Sequence, residues 1–365
     1  MQSLISSRLR KPAIHAVDLF CGAGGLTCGL QQAGIKVKAG VDVDKACEYA
    51  FSHNNKALFI PKSVADIHGT EFADFTKGAD YTLFAGCAPC QAFSSMNRKG
   101  GKTDPRWHLL NEFSRLIQET LPDFVAMENV PQLLNQEIFK DFIETLKKCG
   151  YQQSDWKVVH CEDYGLPQHR HRLVLLASRI APIKIISPKE FGAVKKSVRD
   201  AIGGLPPLKA GEVSQKDPLH RCRGLSPLNM KRIQASKPGG TWHDWPEELR
   251  AGCHKRERDQ TYQSVYARMT WEDPSPTMTT QFVAYGSGRF GHPEQDRGLS
   301  LREGAILQSF PAGYAFTRPD EPIYLSTVAK LIGNAVPVVI GELIGKSIFR
   351  HLNPPSQKNL ALQGF

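Results

Sequence analysis

The chain has 365 residues, 41% hydrophobic and 22% charged, with a formal net charge of +10. That length is more than one ordinary core needs and suits two domains, and the composition is that of a soluble globular protein. No apolar run approaches the ~20 residues needed to cross a bilayer, so a membrane-spanning class is excluded, and nine cysteines without regular spacing argue for free thiols in a reducing, cytoplasmic setting.

The first twelve residues are basic, but no apolar stretch follows them, so they read as a loose arm rather than a secretory signal. Residues 15–20 form a strand-like run that ends in a glycine-rich turn. Leu26, Leu30 and Ala33 follow at helical spacing, and Gly34 is placed to stop that helix. Strands are expected at 37–43, 81–85, 124–127 and 173–177. Leu109, Leu110, Phe113, Leu116 and Ile117 mark one helix face, and Ile138, Phe139, Phe142, Ile143 and Leu146 mark another, which stops near Gly150. Strands alternating with helices predict an α/β fold, a doubly wound and mostly parallel sheet with helices on both faces. Beyond about residue 181 periodicity fades and Pro and Gly become frequent. Regular structure is expected again only after Ser326, where Pro337 suits the start of a helix bearing Ile340, Leu343, Ile344 and Ile348. The divisions expected are 1–185 for a catalytic and cofactor-binding domain, 186–321 for a smaller irregular domain with a hinge, and 322–365 returning to the first.

Charge is uneven. Residues 181–270 hold 17 Lys and Arg against 9 Asp and Glu, a net +8 in a quarter of the chain. Such a stretch suits a polyanion such as nucleic acid, although charge alone leaves a merely basic surface equally open.

Four motifs carry chemistry. The first is Asp18-Leu19-Phe20-Cys21-Gly22-Ala23-Gly24-Gly25-Leu26, a glycine turn between strand and helix, with Asp42 and Asp44 at the end of the next strand. Glycines let backbone approach a ligand, and a carboxylate at that place can accept from ribose hydroxyls, so a nucleoside-type cofactor is indicated. The residues alone do not separate a dinucleotide from S-adenosylmethionine. The second is Gly86-Cys87-Ala88-Pro89-Cys90-Gln91, at a strand's carboxyl end. The Cys-x-x-Cys spacing also allows zinc or a redox dithiol, but no second ligand pair stands at metal spacing and no thioredoxin-like unit surrounds it. A structural thiol describes Cys87 better than Cys90. The third is Met127-Glu128-Asn129-Val130-Pro131, where a buried, protonated carboxyl can donate to a ring nitrogen or an ordinary acid can end a strand. The fourth is Gln168-His169-Arg170-His171-Arg172, whose alternation sets Gln168, Arg170 and Arg172 on one face, for carboxylates, phosphates or a pyrimidine carbonyl, or simply as a solvated basic edge.

In this order the motifs resemble those of the DNA (cytosine-5)-methyltransferase family: Phe-x-Gly-x-Gly, Pro-Cys-Gln, Glu-Asn-Val and Gln-x-Arg-x-Arg. The run from Arg302 through Glu303 and Gln308 to Pro311 and the run Gly333-Asn334-Ala335-Val336-Pro337 resemble its last two. The likeness spans roughly residues 14–345. It implies an S-adenosyl-L-methionine-dependent enzyme that methylates carbon 5 of a flipped-out cytosine in double-stranded DNA. It implies Cys90 as nucleophile, Glu128 at the cytosine N3 and amino edge, and Arg170 and Arg172 near the target base. At the cofactor it places Phe20, Gly22, Gly24, Gly25, Leu26, Asp42, Val43, Asp66, Ile67, Pro89 and Asn334, and it makes the basic middle segment a target-recognition domain. Residues 91–106, hinged at Gly100-Gly101, are expected to close over the flipped base. No metal is expected, and the chain is expected to act as a monomer. A compact chain of this kind resembles the modification half of a bacterial restriction–modification system, paired with an endonuclease. Three other readings stand beside this one. They are a tRNA methyltransferase of the same superfamily, a catalytically dead DNA-binding module, and a nicotinamide-dependent oxidoreductase, which lacks the third glycine at the usual spacing.

Overall fold

A computed structural model describes residues 10–89, 108–255 and 264–354. Seven strands form its sheet: β1 (Ile14–Leu19), β2 (Lys36–Val41), β3 (Leu58–Ile60), β4 (Tyr81–Gly86), β5 (Phe124–Asn129), β6 (Asp155–His160) and β7 (His171–Ser178), in the order β3-β2-β1-β4-β5-β7-β6. Helices alternate with them: α1 (Gly25–Ala33), α2 (Glu48–Asn55), α3 (Ala73–Thr76), α4 (Leu109–Thr120) and α5 (Glu137–Lys148). After the sheet come α6 (Pro188–Phe191), α7 (Val198–Ile202), α8 (Pro227–Gln234), α9 (Leu301–Leu307), α10 (Leu325–Asn334) and α11 (Val338–Leu352).

Strands β1 to β5 pair in parallel, whereas β7 runs antiparallel to both β5 and β6. The expected mostly parallel, doubly wound sheet is therefore present, with two strands added to the expectation. β3 is too short to show a period, and β6 (Asp-Trp-Lys-Val-Val-His) mixes charge into its run. Side chains alternate across the sheet. Ile14, Ala16, Leu83, Ala85, Phe124, Ala126, Val174 and Leu176 face α1 and α11. Val17, Leu19, Phe84, Val125, Met127, Leu173 and Leu175 face α4 and α5. The central strands thus bury both faces, which is why their sequences read as continuous apolar runs.

α1 and α11 lie close enough that a Cβ at Gly29 would drive into the Val338 carbonyl, and one at Gly341 into the Leu26 carbonyl. This contact brings the end of the chain back onto its beginning. The stretch Leu325–Leu352 is long and apolar enough to cross a bilayer by length and composition, contrary to the expectation from the sequence. In the fold it is two helices broken at residues 335–337, and 83% of its most apolar window is buried inside the protein.

The middle of the chain is more ordered than its composition suggested, since α8 and α9 lie within it. Its packing is shared. Phe282, Leu301, Phe310 and Phe316 join one apolar cluster with Cys21, Phe51 and Val328. Ile233, Trp242, Trp245 and Tyr285 form a small separate one. Buried arginines organise the rest. Arg268 donates to the carbonyls of Ser236, His292, Gln295 and Ile233 and to Asp296. Arg297 grips Glu303 through two bonds of 2.8 and 2.7 Å, both side chains being fully enclosed. Glu303 also accepts from the Ser300 N–H, closing the capping box that starts α9. Removing one member of such a pair strands the other charge in the interior, at a cost of about 3–5 kcal/mol. Glu303→Ala is therefore expected to lower the unfolding free energy by that much and to shift the urea midpoint down accordingly, and an unchanged midpoint in a urea melt would contradict the assignment.

Candidate active site

The sheet order reverses between β1 and β4, and open α/β sheets bind ligands beyond the carboxyl ends of strands at such a point. A cleft of about 390 Å³ lies there, lined by the turn after β1, the ends of β2, β4 and β5, the start of β7 and the last turn of α10. Its volume falls in the range of small-molecule sites.

The turn after β1 is tightly wound. Phe20 and Gly22 sit at φ 61° and 50°, and Gly24 at 88°. Positive φ is costly for a phenylalanine, a form of strain that collects at ligand sites. Asp42 holds this turn, accepting from the Gly22 N–H at 2.9 Å through one oxygen and from the Asp44 N–H at 2.9 Å through the other. The sequence suggested Asp42 as a free ribose acceptor; here it first serves as a clamp between β2 and the glycine turn. Asp44, also on the cleft wall, is bound at 2.8 Å by Lys330 of α10, which holds its carboxyl below the usual range.

Asp18 heads the first sequence motif but is given no role there. It lies wholly buried at the end of β1, and Thr27 of α1 donates to its Oδ2 at 2.6 Å. Its Oδ1 has no hydrogen-bond partner among the described residues, and the residue lines the cleft. Burial pushes its pKa up to about 7. The signal was a charged residue inside an otherwise apolar strand. Asp42 is raised by burial as well. Three carboxyls on one wall suit a ligand with cationic groups.

Also on the cleft wall, Glu128 is the penultimate residue of β5, with 2% exposure. Its Oε1 receives the Arg172 Nε at 2.9 Å and its Oε2 the Cys87 Sγ at 2.7 Å. The sequence suggested a neutral acid donating to a base; in this arrangement both oxygens accept. Neighbouring Asn129 donates to the Ala88 carbonyl at 3.2 Å, tying the loop after β4 to β5. Arg170 is fully buried; it donates to the Met278 carbonyl at 3.2 Å, and its Nε has no partner among the described residues. Burial, with Arg172 beside it, lowers the Arg170 pKa to about 9. Gln168 does not line the cleft. Its Nε2 donates to the Gln308 Oε1 at 2.9 Å, and the Gln308 amide N–H in turn donates to the carbonyls of Ile332 and Ala335.

The structure thus brings Phe20, Gly22, Leu26, Asp42, Pro89, Glu128, Arg170, Arg172 and Asn334 to one cleft. Five expected cofactor residues stand outside its lining. Gly24 and Gly25 pack against the protein, where a Cβ would meet Asn55 and the Val336 carbonyl. Val43 is 67% exposed, Asp66 is exposed on a 3-10 turn, and Ile67 is buried in the core. Cys90 and the expected closing segment 91–106 lie outside the described residues; Pro89, the residue before Cys90, lines the cleft.

The model of the C-5 cytosine-specific DNA methylase family matches residues 14–350. The chain belongs to that family. As a DNA (cytosine-5)-methyltransferase it is 49% identical over 339 residues to the type II methylase M.HgiDII of Herpetosiphon aurantiacus, covering 92% of this chain and 95% of that one. It is 30% identical to the type II methyltransferase M.Eco47II of Escherichia coli, over 92% of this chain and 79% of that one. A solved Escherichia coli prophage protein, assigned as a DNA modification methyltransferase, has the same fold with a TM-score of 0.71 at 23% identity, covering 93% of this chain and all of that one. Its substrate is DNA, and a methyl donor is required.

The raised Asp18 pKa has a consequence for stability. A carboxyl that holds its proton to about 7 when folded and releases it near 4 when unfolded contributes stability in full below about pH 4, and loses it as pH rises through 7. Asp18→Asn is expected to flatten that loss. Thermal melts from about pH 5 to 8 should show the wild-type melting temperature falling more steeply than the variant's, and parallel curves would contradict the burial argument.

Proposed function

We propose that this methyltransferase transfers the methyl group of S-adenosyl-L-methionine to carbon 5 of a flipped-out cytosine in a specific duplex sequence, through a transient bond from Cys90 to C6. The observation that carries the reading is that buried Glu128, gripped by Arg172, lies on the wall of the same cleft as Pro89, which hands the chain to Cys90. S-adenosyl-L-methionine would bring an electrophilic methyl group on a positively charged sulfur, and it fits the opposite end. There the glycine turn offers backbone, and Asp18 offers a buried oxygen lacking a partner among the described residues. Asn334 and Leu331 would flank it from the end of α10.

Cytosine C5 is a weak nucleophile within an aromatic ring. Addition of the Cys90 thiolate to C6 breaks the conjugation, and the electron pair moves toward C5 and N3. Glu128, protonated from solvent once the cytosine edge replaces the Cys87 thiol at its Oε2, gives that proton to N3 as charge develops there, and Arg172 faces the pyrimidine carbonyl. Their burial strengthens both effects. Once C5 carries the methyl group, its proton leaves to a base, the C5–C6 double bond re-forms, Cys90 departs as thiolate and N3 returns its proton to Glu128. A base inside the duplex is out of reach, so flipping is required. Outside the cleft, Thr280, Gln281, Ser326 and Thr327 line a shallow groove that shares Lys330 and Asn334 with it. Such hydroxyl and amide groups suit the phosphates of a bound strand. The two curated relatives named above are bacterial type II methylases, which supports a cytoplasmic enzyme that protects DNA from a partner endonuclease. Residues 186–321 supply the target-recognition part.

Cys90→Ser is expected to abolish methyl transfer to duplex DNA while cofactor binding and melting temperature stay unchanged. Cys87→Ser is expected to retain activity, because a hydroxyl also donates to Glu128. Wild-type protein should form a denaturant-resistant adduct with duplex containing 5-fluorocytosine, absent in Cys90→Ser; the reverse pattern would overturn the assignment. Glu128→Gln is expected to reduce kcat by about 10²–10⁴-fold with little change in cofactor affinity, read in single-turnover assays. Bisulfite sequencing of DNA from expressing cells would identify the target sequence.

A further inference from the structure

β6 and β7 are joined by residues 161–170, the loop that carries Gln168 and Arg170 into place. At its neck the last residue of β6, His160, stands directly across the ladder from the first of β7, His171. Their rings stack at 4.0 Å and 18°. One step into the loop, the Glu162 carboxylate reaches toward both strands. Its Oε1 lies 3.2 Å from the His169 Nδ1 and 3.5 Å from the His171 Nε2, while its Oε2 accepts from the Arg170 backbone N–H at 3.4 Å. One ligand atom each from His160, Glu162 and His171 lie within 4.8 Å of one another.

None of these groups points into the methylation cleft. Two imidazoles and a carboxylate are the donor set of tetrahedral zinc and related ions, and unlike an all-oxygen set they do not favour magnesium or calcium. In a tetrahedral site with bonds of about 2.0–2.1 Å, neighbouring ligand atoms are roughly 3.4 Å apart. Rotation of two exposed histidines about their side-chain bonds supplies the contraction needed here. His160 is exposed and the His171 side chain is 49% accessible, so an ion can enter from solvent, while Glu162, 14% accessible, is fixed from below.

We propose that His160, Glu162 and His171, with His169 at hand as a fourth ligand, form a site for a divalent transition-metal ion of the zinc, cobalt or nickel type. The ion cross-links β6 to β7 at the mouth of the Arg170 loop. By holding the backbone of His171 and the carboxylate that anchors the Arg170 N–H, it fixes the strand start from which Arg172 reaches Glu128. The effect is on the rigidity of that loop, and the ion takes no part in methyl transfer.

The test uses the full-length protein, stripped of metal with a chelator and dialysed, then titrated with Co²⁺. Visible d–d absorption saturating at one ion per chain, without the sulfur-to-cobalt charge-transfer band that a cysteine site would give, is the expected result. His160→Gln and His171→Gln are expected to melt like the metal-free wild type and to bind Co²⁺ about tenfold or more weakly. Zn²⁺ should raise the melting temperature of wild type and leave the double variant unmoved, because only a ligand bound to the folded state stabilises it. Unchanged affinity in both variants, a thiolate band, or no binding at millimolar Co²⁺ would each overturn the proposal. If a variant fails to melt like wild type, the exposed His169→Gln change, expected to weaken binding without loss of fold, decides between the outcomes.

Discussion

The ion pair between Glu128 and Arg172 depends on a single reversal of chain direction. Because β7 runs antiparallel to β5, its first residues lie at the carboxyl edge of the sheet, where the parallel strands end. Asn129 stands across from Leu173 and Glu128 from Val174, so Arg172 lies one step past the pairing and reaches back to the carboxylate. A parallel β7 would have put this arginine at the opposite edge of the sheet. The antiparallel strand also brings the chain's own histidines and Arg170 to the same end, which is why one short motif serves both the cleft and the exposed edge beside it.

Around that pair, short polar contacts connect segments far apart in sequence. The hydrogen bond from Gln168 to Gln308 and the Gln308 bonds to residues 332 and 335 join the loop before β7, the end of α9 and the break before α11. Asn129 does the same for the loop after β4. Buried amides satisfied on several sides in this way are specific as well as stabilising, since an amide left unpaired in the interior is costly. The motifs recur in order along the chain because each supplies one side of the same cleft, or one strut behind it.

How much of this was legible follows from what each residue does. Strands buried on both faces read as apolar runs, and the helices over them carry a strong period, so the sheet and its flanking layers could be read directly. β3 and β6 could not, one being three residues long and the other lying at the sheet edge with lysine and tryptophan half out of the core. The glycine turn announced a ligand, but its glycines divide. Gly22 lines the cleft, whereas Gly24 and Gly25 are small because protein packs against them. A motif records the need for a small residue without recording its cause. Asp42 looks like a ligand group from sequence and, on the cleft wall, also clamps the turn, while Asp18, hidden in a strand, is a buried carboxyl with an oxygen lacking a partner among the described residues. The middle segment gave no period because its arginines take backbone carbonyls in place of an apolar stripe, and that pattern of bonding leaves no spacing in the sequence.

The contact of α11 with α1 bears on how the molecule is made. Leu331 to Val336, one wall of the cleft, lie far along the chain from the glycine turn and β5, and Gly341 seats them by meeting the first helix. During synthesis the glycine turn and the β5 carboxylate emerge long before that wall exists. Half a cleft therefore exists until α11 docks on α1 and seats this wall against the sheet.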